Sequence, residues 1–319
     1  MIDLAQKRLG SKIVYQTDEF FAKANRIIDS KEPIFIPNKF DNHGKWMDGW
    51  ETRRKRKKGN DYLIIRLGKE GVVSKININT LYFNGNQPEF ASIEACYSEK
   101  KIPDKKEKWK IILSKKKTKP NYNNIFKIKN KSVFTHIKLN IFPDGGVARL
   151  RIYGKIVIDK KFFGKKIINL SALSNGASII AFNNEHFGKA ENILAPGKSK
   201  NMGDGWETRR SRGKNFDWII FKCVAGKINN IQIDTHHFKG NYPDKCSIQA
   251  SYLSHKINTK SIIQKSNKWK IILNKVKLHA HKKHNFGNKL IKNITVNYVR
   301  INIFPDGGIA RVRIFGKVK

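Results

Sequence analysis

The 319-residue chain carries 65 Lys+Arg against 25 Asp+Glu, a formal charge of +40, with 39% hydrophobic and 11% aromatic residues. That length suits roughly two domains of about 160 residues, each with enough apolar residues for a core. No run of about 18 apolar residues occurs, and the N-terminus lacks an apolar core with a small-residue cleavage site, so neither a membrane-spanning helix nor a secretory leader is expected.

In chain order, residues 19–28 form the one stretch that looks helical. Beyond it, apolar residues alternate or run for four to eight positions between Gly, Pro and Asn clusters, which predicts strands over 62–67, 73–81, 93–97, 108–113, 135–141 and 147–153. The second half carries counterparts of each. Many short antiparallel strands imply a β-sandwich per domain, with the loops at one end as the natural ligand site. Cys96, Cys223 and Cys246 form no CxxC pair and are odd in number, which points to reduced thiols in a cytoplasmic protein. The surplus charge is mostly Lys, spread through strand-like and loop-like segments alongside heavy Ile and Asn use, as in translated A+T-rich DNA. It reads as a solvated surface. The densest run, Arg53 to Lys58, has no stacking-aromatic motif beside it, so neither nucleic acid nor a membrane is expected as a partner.

The chain repeats itself. Leu4-Ala5 meets Leu170-Ser171, and Glu19-Phe20-Phe21 meets Glu185-His186-Phe187, at an offset of 166. Asp48-Gly49-Trp50-Glu51-Thr52-Arg53-Arg54 then returns unchanged as Asp204-Gly205-Trp206-Glu207-Thr208-Arg209-Arg210 at 156, so the first copy holds about ten extra residues, placed within 32–47. Phe83-Asn84-Gly85-Asn86 pairs with Phe238-Lys239-Gly240-Asn241, and Phe142-Pro143-Asp144-Gly145-Gly146 with Phe304-Pro305-Asp306-Gly307-Gly308. One domain is thus duplicated in tandem, as 1–160 and 161–319, with the join near 160–166. An extended motif would send Glu51 and Arg53 one way, and Trp50, Thr52 and Arg54 the other. Trp50 and Trp206 suit either core plugs or substrate platforms.

The two Asp-Gly-Trp-Glu-Thr-Arg-Arg motifs, Asp234-Thr235-His236-His237-Phe238-Lys239-Gly240-Asn241-Tyr242-Pro243 and both Phe-Pro-Asp-Gly-Gly turns resemble the allantoicase family, in order and over essentially the whole chain. The resemblance implies two tandem jelly-roll domains of galactose-binding-like type in an all-β chain, and hydrolysis of allantoate to ureidoglycolate and urea in purine nitrogen recovery. It also implies a homo-oligomer and, in some bacterial members, activation by a divalent metal, manganese; the residues themselves require no cofactor. A noncatalytic ureide- or sugar-binding sandwich is the alternative.

The residues fit such a substrate, a small carboxylate carrying two ureido groups. Arg53, Arg54, Arg209 and Arg210 offer planar donor forks for a carboxylate. Asp48, Asp204, Glu51 and Glu207 offer acceptors to ureido NH groups, with the arginines expected to hold the carboxyl pKa values down. Glu51 and Glu207, with His43 in the insertion and His236 and His237 in the second copy, are the candidates for moving protons. In the first copy Asn79-Thr80-Leu81-Tyr82 replaces the Asp-Thr-His-His set, which suggests one composite site fed by both domains. No metal-ligand set is legible: the lysines around His279, His281 and His284 repel a divalent cation. Arg149 and Arg151 share a strand face, as do Arg311 and Arg313, and call for facing carboxylates.

Overall fold

The structure is a computed structural model that describes residues 1–319 except 105, 159–162, 165, 212–214, 256 and 292–293. It divides into two compact units, Met1–Val157 and Ile158–Lys319. The join expected over 160–166 falls largely outside the described residues.

In the first unit the strands are β1 (Ile2–Asp3), β2 (Lys12–Gln16), β3 (Phe40–Asp41), β4 (Gly44–Lys45), β5 (Trp50–Glu51), β6 (Asp61–Asn79), β7 (Phe90–Cys96), β8 (Lys110–Lys117), β9 (Asn123–Lys127), β10 (Val133–Phe142), β11 (Gly146–Val147) and β12 (Arg149–Ile156). Strand β6 organises the unit. Its first part lies between β2 and β10, with Leu63 opposite Gln16 and Leu139. Its second part lies between β12 and β9, with Ile76 opposite Ile152 and Phe126. The sheet order β1-β12-β6-β10-β7-β8 follows, a jelly-roll sandwich whose two layers share one long strand.

The sequence pattern breaks this strand in two, at 62–67 and 73–81, because the buried positions change parity from Leu63, Ile65 and Leu67 to Ile76 and Ile78. The chain does not turn there. A bulge opposite Tyr153 and Gly154 shifts the register, so the apolar face stays inward as the strand passes between layers. Leu63, Ile65, Ile76, Ile78, Ile93, Ile137, Leu139, Leu150 and Ile152 then fill one core around Trp50.

The second unit repeats this with β13 (Ile167–Asn169), β14 (Ser178–Phe182), β15 (Trp206–Glu207), β16 (Asp217–Asp234), β17 (Lys245–Ser251), β18 (Lys270–Lys277), β19 (Lys283–Asn285), β20 (Thr295–Phe304), β21 (Gly308–Ile309) and β22 (Arg311–Val318). Its order β13-β22-β16-β20-β17-β18 matches the first, strand for strand.

Helix is where the sequence reading fails. Residues 19–28 contain only a 3-10 turn at Ala24–Arg26. The Glu19 carboxylate accepts from the Ala24 N–H, and Ala22 exchanges both backbone hydrogen bonds with Glu51, so this segment's donors are used across the fold. The helix lies elsewhere: α1 (Thr259–Ser266) is capped by Asn258, whose side chain accepts from the Ser261 N–H at 2.9 Å. Strand β9 does not show in the sequence pattern, its apolar residues being too few to give a period.

The extra residues of the first copy form an exposed hairpin, β3–β4. The Asp-Gly-Trp glycines are set by close approach: a Cβ on Gly49 would lie 2.6 Å from the Val147 carbonyl. Gly146 is tighter still, its Cβ falling 2.0 Å from the Phe83 ring. Gly146→Ala is therefore expected to displace buried Phe83 and cost about 1–3 kcal/mol, read as a lower urea midpoint.

Candidate active site

The motif strand β5 lies between the 3-10 segment and the Phe-Pro-Asp-Gly-Gly turn, Glu51 opposite Gly146 and Trp50 opposite Val147. Trp50 is fully buried, its Nε1 donating to the Asp18 carbonyl at 2.7 Å. Trp206 does the same to Asn184 at 2.9 Å, so both indoles are core plugs.

In the first unit the motif opens onto a cleft of about 460 Å³, whose lining includes Phe21, Glu51, Arg54, Lys55, Asn86 and Asp144. The turn that forms its floor is fixed by Thr52, which donates its N–H to the Gly145 carbonyl and accepts the Gly145 N–H on Oγ1, both at 3.2 Å. Asp144 Oδ2 accepts the Lys55 N–H at 2.7 Å. Asn86 closes one side: its carbonyl accepts from Gly146 N–H at 2.7 Å, and its Nδ2 donates to Glu51 Oε1 at 2.7 Å.

Burial pushes the Glu51 carboxyl above its ordinary value, opposed by the Asn86 amide that donates to it. This overturns, for Glu51, the expectation that neighbouring arginines hold the pKa down. Arg53 is turned away to Asp18 Oδ2 at 2.7 Å, and Arg54 is exposed. The strand ends at Glu51, so Arg54, not Arg53, joins Glu51 in the cleft. Asn86→Ala removes the donor that lowers the Glu51 pKa. Its pH–rate profile is expected to shift to higher pH, measured as a move of the alkaline limb.

The other expected site residues lie as follows. Asp48 Oδ2 pairs with Arg149 Nη2 at 2.7 Å and accepts from Ile34 N–H, and it is absent from the cleft lining. Asp204 pairs with Arg311 in the same way, at 2.7 Å. Arg151 faces Asp3 at 3.5 Å, so two of the strand arginines of the first copy do meet carboxylates. Arg209 and Arg210 are exposed, and the Arg209 N–H donates to Asn184 Oδ1. His43 lies over Phe20, centroids 4.3 Å apart, in a smaller recess of about 250 Å³ with Asp18, Glu19, Lys23 and Arg53. That recess and the cleft share no lining residue.

Glu207 is buried, and Asn241 Nδ2 donates to its Oε1, repeating Asn86 and Glu51. His236 and His237 pack with His281, His236 with centroids 4.0 Å from His281 and 4.3 Å from His237. His237 Nε2 meets the Ser199 carbonyl at 3.0 Å, and the His237 N–H donates to His281 Nδ1 at 3.0 Å. Burial and the neighbouring imidazoles lower the His236 pKa. Among the described residues no three His, Cys, Asp or Glu side chains converge as a metal site. Among the described residues the donor set does not fit manganese. The cleft residues missed from sequence, Asn86, Thr52 and Lys55, carry one signal between them: Asn86 and Thr52 recur as Asn241 and Thr208.

The family model described as Allantoicase repeat matches residues 2–157 and again 168–319. A protein named Probable allantoicase from Acinetobacter baumannii strain SDF is 45% identical over 317 residues, covering 99% of this chain and 94% of that protein. One named Probable allantoicase 1 from Burkholderia mallei is 42% identical over 317 residues, covering 99% and 94%. The crystal structure of allantoicase from Saccharomyces cerevisiae superimposes with a TM-score of 0.84 at 33% identity, covering 99% of this chain and 92% of that one. Matched twice by the repeat and along its whole length by these relatives, the chain belongs to the allantoicase family.

Proposed function

We propose that this chain hydrolyses allantoate to ureidoglycolate and urea in purine degradation, and that the first-unit cleft carries the reaction. The observation that carries the residue assignment is Glu51: a half-buried carboxyl with raised pKa, oriented by Asn86, in a cleft that also presents Lys55 and Arg54. Lys55 and Arg54 receive the substrate carboxylate, while Asp144 and Gln87 accept from ureido NH groups. Protonated Glu51 gives its proton to the leaving ureido nitrogen as the central C–N bond breaks, releasing urea. A water then adds its oxygen to that carbon and returns a proton to Glu51, so one carboxyl serves as acid and then base. The substrate is a small molecule.

The supporting observation for a homo-oligomer is the exposed apolar run Ile34, Phe35, Ile36 and Phe40 of the first-copy insertion. A cytoplasmic location is supported by Cys96, Cys223 and Cys246, all buried, unpaired and pushed up to about 12 by burial. No helix among the described residues is long and apolar enough to cross a membrane. Urea release from allantoate by the purified protein tests the reaction. Binding of allantoate by calorimetry without product, with or without added manganese, would leave a noncatalytic ureide binder instead. Light scattering gives the assembly state.

A further inference from the structure

We propose that the second unit holds a second, independent and weaker centre for the same reaction, and that Ser211, standing where the first unit has Lys55, sets the difference. This rests on the reaction assigned above.

The second centre repeats the strand pairing and the turn and amide contacts of the first. Glu207 lies opposite Gly308 as Glu51 lies opposite Gly146. Asn241 holds the Glu207 carboxyl, and its carbonyl accepts from Gly308 N–H at 2.8 Å. Thr208 donates to the Gly307 carbonyl at 3.2 Å and accepts from Gly307 N–H at 3.1 Å. Asp306 Oδ2 accepts the Ser211 N–H at 2.6 Å, as Asp144 accepts from Lys55. A packing role alone requires Trp206 and the glycines; it does not require a buried Glu held by an Asn, which costs desolvation.

The charges around the two centres differ. In the first unit Lys55 Nζ lies 2.8 Å from Asp61 and reaches the cleft lining. In the second, Asp217 takes the place of Asp61: its Oδ1 accepts from Asn183 at 2.8 Å, and its buried Oδ2 has no hydrogen-bond partner among the described residues. Ser211 carries no charge where Lys55 carries one, so at this position the second centre attracts an anionic substrate less. Asp244 keeps the charge of Glu89, and Tyr242 replaces Gln87.

The test is urea release from allantoate by Glu51→Gln, Glu207→Gln and the double variant, with thermal melts to check folding. Glu51→Gln is expected to keep a high-KM component, Glu207→Gln to keep the low-KM component, and the double variant to lose at least about 100-fold. On the Glu51→Gln background, Ser211→Lys is expected to lower KM by about two- to fivefold, the range of a solvent-exposed charge contact. Full inactivity of Glu51→Gln with wild-type kinetics in Glu207→Gln overturns the proposal, as does full inactivity of both single variants, which means one composite site. If the wild type releases no urea, the assigned reaction fails, and calorimetry with allantoate still decides: two equivalents per chain support two centres, one or none overturns them.

Discussion

Glu51→Gln is expected to lower kcat for the first-unit centre by about 10²- to 10⁴-fold while raising the melting temperature at pH values above the native Glu51 pKa. The two effects share one cause. The native fold holds the Glu51 carboxyl at a pKa above its unfolded value, because burial penalises the charge more than the Asn86 amide repays it. Stability from this group is fully present below the unfolded pKa and is lost as pH rises through the native one. Above that window the ionised carboxylate is a burden on the fold, and Gln removes it while still offering Asn86 an oxygen acceptor. Turnover follows the same group: the protonated carboxyl delivers the proton, so rate declines as pH rises through the native pKa. Parallel melts and pH–rate profiles of wild type and variant check this. A Gln variant that keeps the low-KM component undiminished, or that melts lower than wild type at every pH, removes Glu51 from its assigned role.

Arg149→Met is expected to destabilise the first unit by about 3–5 kcal/mol, the cost of stranding a partner of a buried ion pair. Arg149 is 2% exposed. Its Nε donates to the Lys31 carbonyl at 2.9 Å, Nη1 to the carbonyls of Asp48 and Ala148 at 2.9 and 2.7 Å, and Nη2 to Asp48 Oδ2 at 2.7 Å. Methionine fills the space and leaves those acceptors, Asp48 among them, without donors. Arg311→Met is expected to cost the second unit a similar amount, since Arg311 ties Gly197, Asp204 and Ala310 in the same pattern. The contrast is Arg53→Met. That side chain is 65% exposed against Asp18, so its loss is expected to change stability by about 1 kcal/mol or less. Urea unfolding of the three variants separates them.

These expectations place the functional and the structural arginines differently from the sequence reading. The repeated Arg53-Arg54 pair and Asp48 look alike as substrate groups because they are polar, adjacent and recur. In the fold they divide: Asp48 holds the backbone around Arg149, Arg53 faces Asp18, and Arg54 lines the cleft. His43, His236 and His237 have no counterpart in the other copy: His43 packs on Phe20 outside the first-unit cleft lining, and His236 and His237 pack on each other in the second unit.

The sequence by itself determined the tandem duplication, the all-β sandwich and the recurring Glu of each copy. Each of these is local, written in strand period or in residues that return at a fixed offset. Only the tertiary structure decided that β6 runs unbroken between layers, that Asn86 grips Glu51, that Asp48 belongs to Arg149, and that the Glu51 pKa rises. Those outcomes depend on partners 35 and 101 residues apart in the chain and on how much water reaches the carboxyl. Burial and long-range pairing are properties of packed neighbours, and a local pattern of residue types does not specify them.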